Sequence, residues 1–220
     1  MTGTANNFSR ARPSSRYREL MEQYCRLHTE GEKFLGIPPE RIFPGESLLA
    51  QASRVKRLID LTGARRLLDY GSGKGVQYGP VRVREADGRE WPSMLAYWGA
   101  ESVRCYDPCY APFSALPEGR FDGVISTDVL EHCPEEDVPW ILDEIFGYAT
   151  RFVFVNAACY PAVKRLPSGE NAHCTIKPPE WWQEAVASAA ARHPDIVWEL
   201  WVQQRLEGRL VETRLGNSPV

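Results

Sequence analysis

The chain has 220 residues, 43% hydrophobic and 25% charged, which is enough length for one good-sized α/β domain with its own core and short for two. These fractions are ordinary for globular proteins and exclude a disordered class, and no apolar run approaches the roughly 20 residues that a bilayer crossing needs. A formal charge of −3 argues against nucleic acid as a partner, because dedicated nucleic-acid binders carry a clearly basic domain.

Residues 1–16 are polar and basic with no apolar segment of a secretory signal, so they read as a flexible lead-in and the protein as cytoplasmic. Six cysteines (Cys25, Cys105, Cys109, Cys133, Cys159 and Cys174) form no CxxC pair and read as reduced thiols. Over 17–34, Tyr17, Leu20, Met21, Tyr24 and Leu27 fall at helical spacing and predict an amphipathic helix. Prolines and glycine at 38, 39, 44 and 45 punctuate the chain before a second helix over 47–62, stopped by Gly63. These two make an N-terminal helical cap, 17–62, in a single domain whose core is 63–220.

The apolar run 66–70 predicts a strand that stops in a glycine-rich turn, after which the chain is expected to turn helical. Pro80, Gly88 and Pro92 make 76–93 an irregular insertion, followed by a short helix at 94–98. Strands follow at 101–106 and 121–127, a helix at 135–148 with Val138, Ile141, Leu142, Ile145 and Phe146 on its apolar face, and a strand at 151–156. A helix over 179–191 precedes a closing antiparallel pair, 195–202 with 209–215. Strands alternating with helices predict a Rossmann-like α/β fold, with a mostly parallel sheet covered by helices on both faces. In such sheets ligands sit at the carboxyl ends of the strands, near the first β-α turn.

That turn reads DYGSGKG. It is not a phosphate-binding P-loop, because Gly75 follows Lys74 where a serine or threonine is needed to hold magnesium. Gly71, Gly73 and Gly75 follow GxGxG spacing, which weakens the dinucleotide reading that requires GxGxxG. Asp69, directed into the loop, would repel a pyrophosphate and attract a positively charged group, while the glycines let a ligand lie against backbone.

At these residues the sequence resembles the class I S-adenosylmethionine-dependent methyltransferases, whose first motif has the form DxGxGxG. The resemblance implies that Asp69, Gly71, Ser72, Gly73 and Gly75 cradle S-adenosyl-L-methionine, released as S-adenosyl-L-homocysteine. It also implies that Asp107, at a strand end, binds the ribose hydroxyls. The stretch FDGVISTDVLEH looks like the family's fourth-strand motif, so Ser126, Thr127 and Asp128 would line the methionine half. The likeness covers roughly 67–156. Residues 75–107 are longer than the family pattern and 107–121 too short for a full helix and third strand, leaving only Ser114 and Glu118 for the adenine.

Methyl transfer is an in-line displacement that chiefly requires placement of the acceptor and exclusion of water. Histidine is the natural proton acceptor near neutral pH, and His132 or His173 could serve as base or be structural. His28 and His193 read as structural or solvent-facing. Asn171, His173 and Thr175 alternate along a polar loop, and Trp181 with Trp182 either walls a pocket or anchors the next helix. His132-Cys133 and His173-Cys174 are adjacent pairs, which rarely ligate one ion together, so no metal site is expected. No NPPY-like tetrapeptide follows the fourth strand, which argues against DNA. The layout looks most like small-molecule methyltransferases, including the ubiquinone-type O-methyltransferases. The expected acceptor is a small molecule or saccharide unit, methylated at oxygen. Alternatives are a protein or other macromolecular acceptor, and a non-catalytic cofactor-binding subunit; the oligomeric state stays open.

Overall fold

The computed structural model describes residues 8–80, 82–85 and 87–219. In chain order these form α1 (Ser15–Glu30), α2 (Ala52–Thr62), β1 (Arg66–Tyr70), β2 (Val83–Arg84), β3 (Glu90–Trp91), α3 (Met94–Trp98), β4 (Ser102–Tyr106) and β5 (Phe121–Thr127). Then come α4 (Val138–Tyr148), β6 (Ala149–Ala158), α5 (Pro179–Ala190), β7 (Val197–Leu206) and β8 (Arg209–Gly216). The main sheet runs β4-β1-β5-β6-β7-β8, parallel throughout except that β8 returns antiparallel along β7. A two-stranded ribbon, β2 with β3, lies apart from it.

The central strands are apolar on both faces, as strands covered on both sides must be. Leu68, Val124 and Val153 pack beneath α4 and α5, while Leu67, Ile125 and Phe154 pack beneath α2 and α3. Helices therefore cover both faces. Gly63, at φ +65°, closes α2 in the left-handed region, a conformation that costs glycine little.

Three expectations change. The chain after the glycine loop makes only a 3-10 turn, Val76–Tyr78, and the first true helix there is α3. The second predicted helix opens as a 3-10 turn, Glu46–Gln51, and α2 lies against the sheet, so α1 alone stands as the cap. Residues 8–16 are tied down, contrary to a flexible lead-in. Arg10 pairs with Glu144 and donates to the Tyr70 hydroxyl at 2.9 Å, and Ser14 Oγ donates to Asp137 Oδ2 at 2.5 Å. Residues 1–7 of that lead-in lie outside the described residues.

Between β4 and β5 there is only a 3-10 turn, Ala111–Phe113, in keeping with the shortness of that stretch, and β4 is left at the sheet edge. Among the described residues no helix is long and apolar enough to cross a membrane.

Candidate functional site

The glycine loop hangs from the carboxyl end of the sheet. The Gly71 and Ser72 amides donate to the Tyr106 carbonyl at 2.7 and 3.0 Å, fixing the loop to the end of β4. Gly73, at φ +57°, has the Phe43 carbonyl oxygen 2.1 Å from where a Cβ would stand, and the Lys74 amide donates to that same carbonyl at 2.8 Å. A Cβ on Gly71 would stand 2.3 Å from the Val129 side chain. The close approach that these glycines permit is thus made by the protein's own segments at 43 and 129.

Asp69 does not face a ligand. It is buried, its Oδ2 accepts from the Tyr78 hydroxyl at 2.8 Å and from Gln77 Nε2 at 3.1 Å, and it is not in the cavity wall. Burial pushes its pKa up to about 7, against the pull of those two hydrogen bonds. Asp107 Oδ2 accepts from the Gly73 amide at 3.0 Å and its Oδ1 from the Cys109 amide at 2.9 Å, which couples β4 to the glycine loop.

In front of the loop lies a cavity of about 290 Å³, whose wall includes Gly71, Gly73, Asp107, Thr127, Asp128 and His132. Leu20, Met21 and Tyr24 of α1, with Phe43, add an apolar side. Ser72, Gly75 and Ser126 do not line it. Ser72 Oγ points back to the Gly73 carbonyl, and a Cβ on Gly75 would press on Phe113. Ser126 Oγ is buried in the sheet interior with no hydrogen-bond partner among the described residues. Ser114 donates to the Ala111 carbonyl, and neither it nor Glu118 reaches the cavity.

His28 belongs to this site although its sequence setting reads as structural. It lines the cavity, stacks on Tyr110 with ring centroids 5.5 Å apart, and places Nε2 3.8 Å from Asp107 and Nδ1 3.2 Å from Lys74 Nζ. Burial, ahead of Lys74's charge, lowers its pKa against the opposing pull of Asp107. The signal was its place four residues after Tyr24, on the buried stripe of α1.

At the end of β5 the chain turns sharply through Asp128, whose backbone is left-handed at φ +60°, and makes a short 3-10 turn, Leu130–His132. The amides of Cys174 and Thr175 donate to the Glu131 carbonyl at 2.9 and 3.0 Å, which docks the loop carrying His173 onto this turn. The rings of His132 and His173 meet edge to face with centroids 4.7 Å apart.

His132 Nδ1 lies 2.9 Å from the Ala172 carbonyl and His173 Nδ1 lies 2.6 Å from the Tyr160 carbonyl. A carbonyl only accepts, and the Tyr24 hydroxyl 3.1 Å from His132 Nδ1 spends its proton on the Ala172 carbonyl at 2.5 Å, so each Nδ1 carries the proton and each neutral ring keeps an unprotonated Nε2. Burial first, then the neighbouring ring, pushes the His132 pKa down to about 4; burial lowers that of His173 as well. One donor atom from each of Asp128, His132 and His173 falls within 4.8 Å of the others. The adjacent His-Cys pairs are therefore not the relevant grouping. The convergent set comes from two loops forty residues apart in sequence.

The remaining loop residues are structural. Asn171 bridges the Ala162 amide and carbonyl at 2.9 and 2.8 Å, and Thr175 Oγ1 donates to the Cys133 carbonyl at 2.6 Å. Trp182, on the inner face of α5, is buried in the core, and neither it nor Trp181 lines the cavity, so the pair anchors the helix.

The chain matches no known protein family, no curated protein and no solved structure.

Proposed function

We propose that the protein is an S-adenosylmethionine-dependent methyltransferase acting on a small molecule or a saccharide unit at oxygen. One observation carries the reading. Gly71 and Gly73, Asp107, and Thr127 with Asp128, nominated from three separate stretches, border a single cavity at the carboxyl ends of β1, β4 and β5. This is where ligands of parallel α/β sheets bind.

S-adenosylmethionine would supply a methyl group already activated on a sulfonium. Asp107 would hold the ribose hydroxyls while its remaining lone pairs keep the glycine loop in place. Thr127 and Asp128 would border the methionine part. Leu20, Met21 and Phe43 form an apolar side that excludes water from the acceptor. His132 is neutral at working pH, so its bare Nε2 can accept a hydrogen bond from an acceptor hydroxyl; with a pKa near 4 it is a weak base. The enclosing α1 suits a small acceptor better than a macromolecule.

Calorimetric titration with S-adenosylmethionine and S-adenosylhomocysteine tests this directly. One-to-one binding of both is expected, weakened about 10- to 100-fold by Asp107→Ala, which removes a charged hydrogen-bond acceptor. Failure of both ligands to bind would end the reading.

A further inference from the structure

We propose that Asp128, His132 and His173 form a site for a borderline divalent transition-metal ion of the Zn²⁺ or Co²⁺ class, bound through one carboxylate oxygen and the two unprotonated ring nitrogens. The first support is the orientation of the rings. Each histidine spends its only N–H on a backbone carbonyl, Ala172 for one and Tyr160 for the other, leaving its other nitrogen as a bare donor. Outer hydrogen bonds of this kind fix the tautomer and aim of metal-binding histidines. A merely structural polar cluster would satisfy itself internally, yet among the described residues no hydrogen bond joins Asp128 to either ring.

The second support is an unbalanced carboxylate. Glu131 is fully buried; its Oε1 accepts from the Ala158 amide at 2.7 Å, but its Oε2 has no hydrogen-bond partner among the described residues. That bare oxygen sits on the residue next to His132, an acceptor beside the cluster that no group among the described residues serves. The third is the backbone. Asp128 holds a left-handed φ of +60° at the strand end, a conformation that aspartate adopts at some cost and that tends to mark functional turns.

The donors also set the ion's class. Two imidazole nitrogens with one carboxylate suit Zn²⁺, Co²⁺ or Fe²⁺, whereas Mg²⁺ and Ca²⁺ take oxygen ligands. Donors bound at about 2.1 Å around an ion stand roughly 3.4 Å apart. The set, within 4.8 Å, closes with a movement of about 1.5 Å. Three protein ligands leave a coordination position open, as in metal sites that bind water or substrate. Asp128 and His132 line the cavity, so the cluster borders it.

The test is made on the full chain, stripped with chelator and free of S-adenosylmethionine, by calorimetry with Zn²⁺ and visible absorption with Co²⁺. One ion per chain is expected. Asp128→Asn, His132→Ala and His173→Ala should each weaken binding by about 100-fold or more, whereas His193→Ala, away from the cluster, should leave it unchanged. Asparagine tolerates the left-handed backbone, so Asp128→Asn remains decisive if a histidine variant fails to fold. Absence of one-to-one binding, survival of tight binding in Asp128→Asn, or equal competition by Mg²⁺ would overturn the assignment. The readout is metal affinity alone, without S-adenosylmethionine, so it is separable from the methyl-transfer reading; with the ion bound, the His132 Nε2 lone pair is a ligand and no longer accepts from an acceptor hydroxyl.

Discussion

The two ends of the site hold their carboxylates differently. At the glycine loop the two carboxylates are held from within, Asp107 by two backbone amides and Asp69 by Tyr78 and Gln77, the Phe43 carbonyl fills the space beside Gly73, and Gln77 Oε1 is left buried without a partner among the described residues. At the end of β5, one donor atom each from Asp128, His132 and His173 converges, beside a buried Glu131 oxygen without a partner among the described residues. Burying a polar atom without a partner costs free energy. Both ends bear that cost, at Gln77 Oε1 and at Glu131 Oε2, and what sets the β5 end apart is that donor atoms of an aspartate and two histidines converge there.

The largest way to disturb the contrast lies at Asp69. An unfolded aspartate loses its proton near pH 3.9, whereas Asp69 in the fold keeps it to about pH 7. Folding therefore takes up a proton between those values, and this carboxyl group lowers stability progressively as pH rises through that window. Asp69→Asn, which can still accept from Tyr78 and Gln77, should be more stable than the parent at pH 8 by as much as about 4 kcal/mol. At pH 5 the gain should shrink to about 1.5 kcal/mol. Urea denaturation at both pH values reads it; an unchanged or weakened protein at pH 8 would show that the charge is compensated in the fold.

Gly73→Ala should have the next largest effect, in the other direction. A methyl group there meets the Phe43 carbonyl 2.1 Å away on a backbone with φ +57°, so both sterics and conformation oppose it. The expected loss is about 3 kcal/mol, a fall in melting temperature of roughly 6–12 °C for a chain of this size. Zn²⁺ affinity should be untouched, because the strain stays at the loop end. A coupled loss of metal affinity would mean that the two ends act as one unit.

Much of the frame was legible from local pattern. Strands β1 and β5, and the short helix α3, begin and end where their apolar runs meet glycine, proline or polar residues. The misreadings share one cause, dependence on tertiary partners that local pattern does not reveal. Arg10 and Ser14 are immobilised by Glu144 and Asp137, more than a hundred residues away. Asp69 turns from the cavity because the turn at 76–78 brings Gln77 and Tyr78 back over it, which strand-end position alone does not reveal. Periodicity put Thr127 and Asp128 at the strand end, but it could not show that His173 returns to His132 or that their N–H groups point outward to carbonyls.

The smallest effect is the most discriminating, because its sign should reverse. In chelator, Asp128→Asn removes a negative charge beside Glu131 and keeps the backbone conformation, so the variant should be more stable than the parent by about 1 kcal/mol. With Zn²⁺ at about 100 times the parent's dissociation constant, binding should stabilise the parent by about 2.7 kcal/mol. A variant binding about 100-fold more weakly would then gain only about 0.4 kcal/mol, making it the less stable of the two. Thermal melts of both proteins with chelator and with Zn²⁺ measure the crossing. If Asp128→Asn is the more stable in both conditions, Asp128 is not a ligand. If it is the less stable in both, its carboxylate already has a partner within the fold, and the corner at the end of β5 is no more uncommitted than the glycine loop.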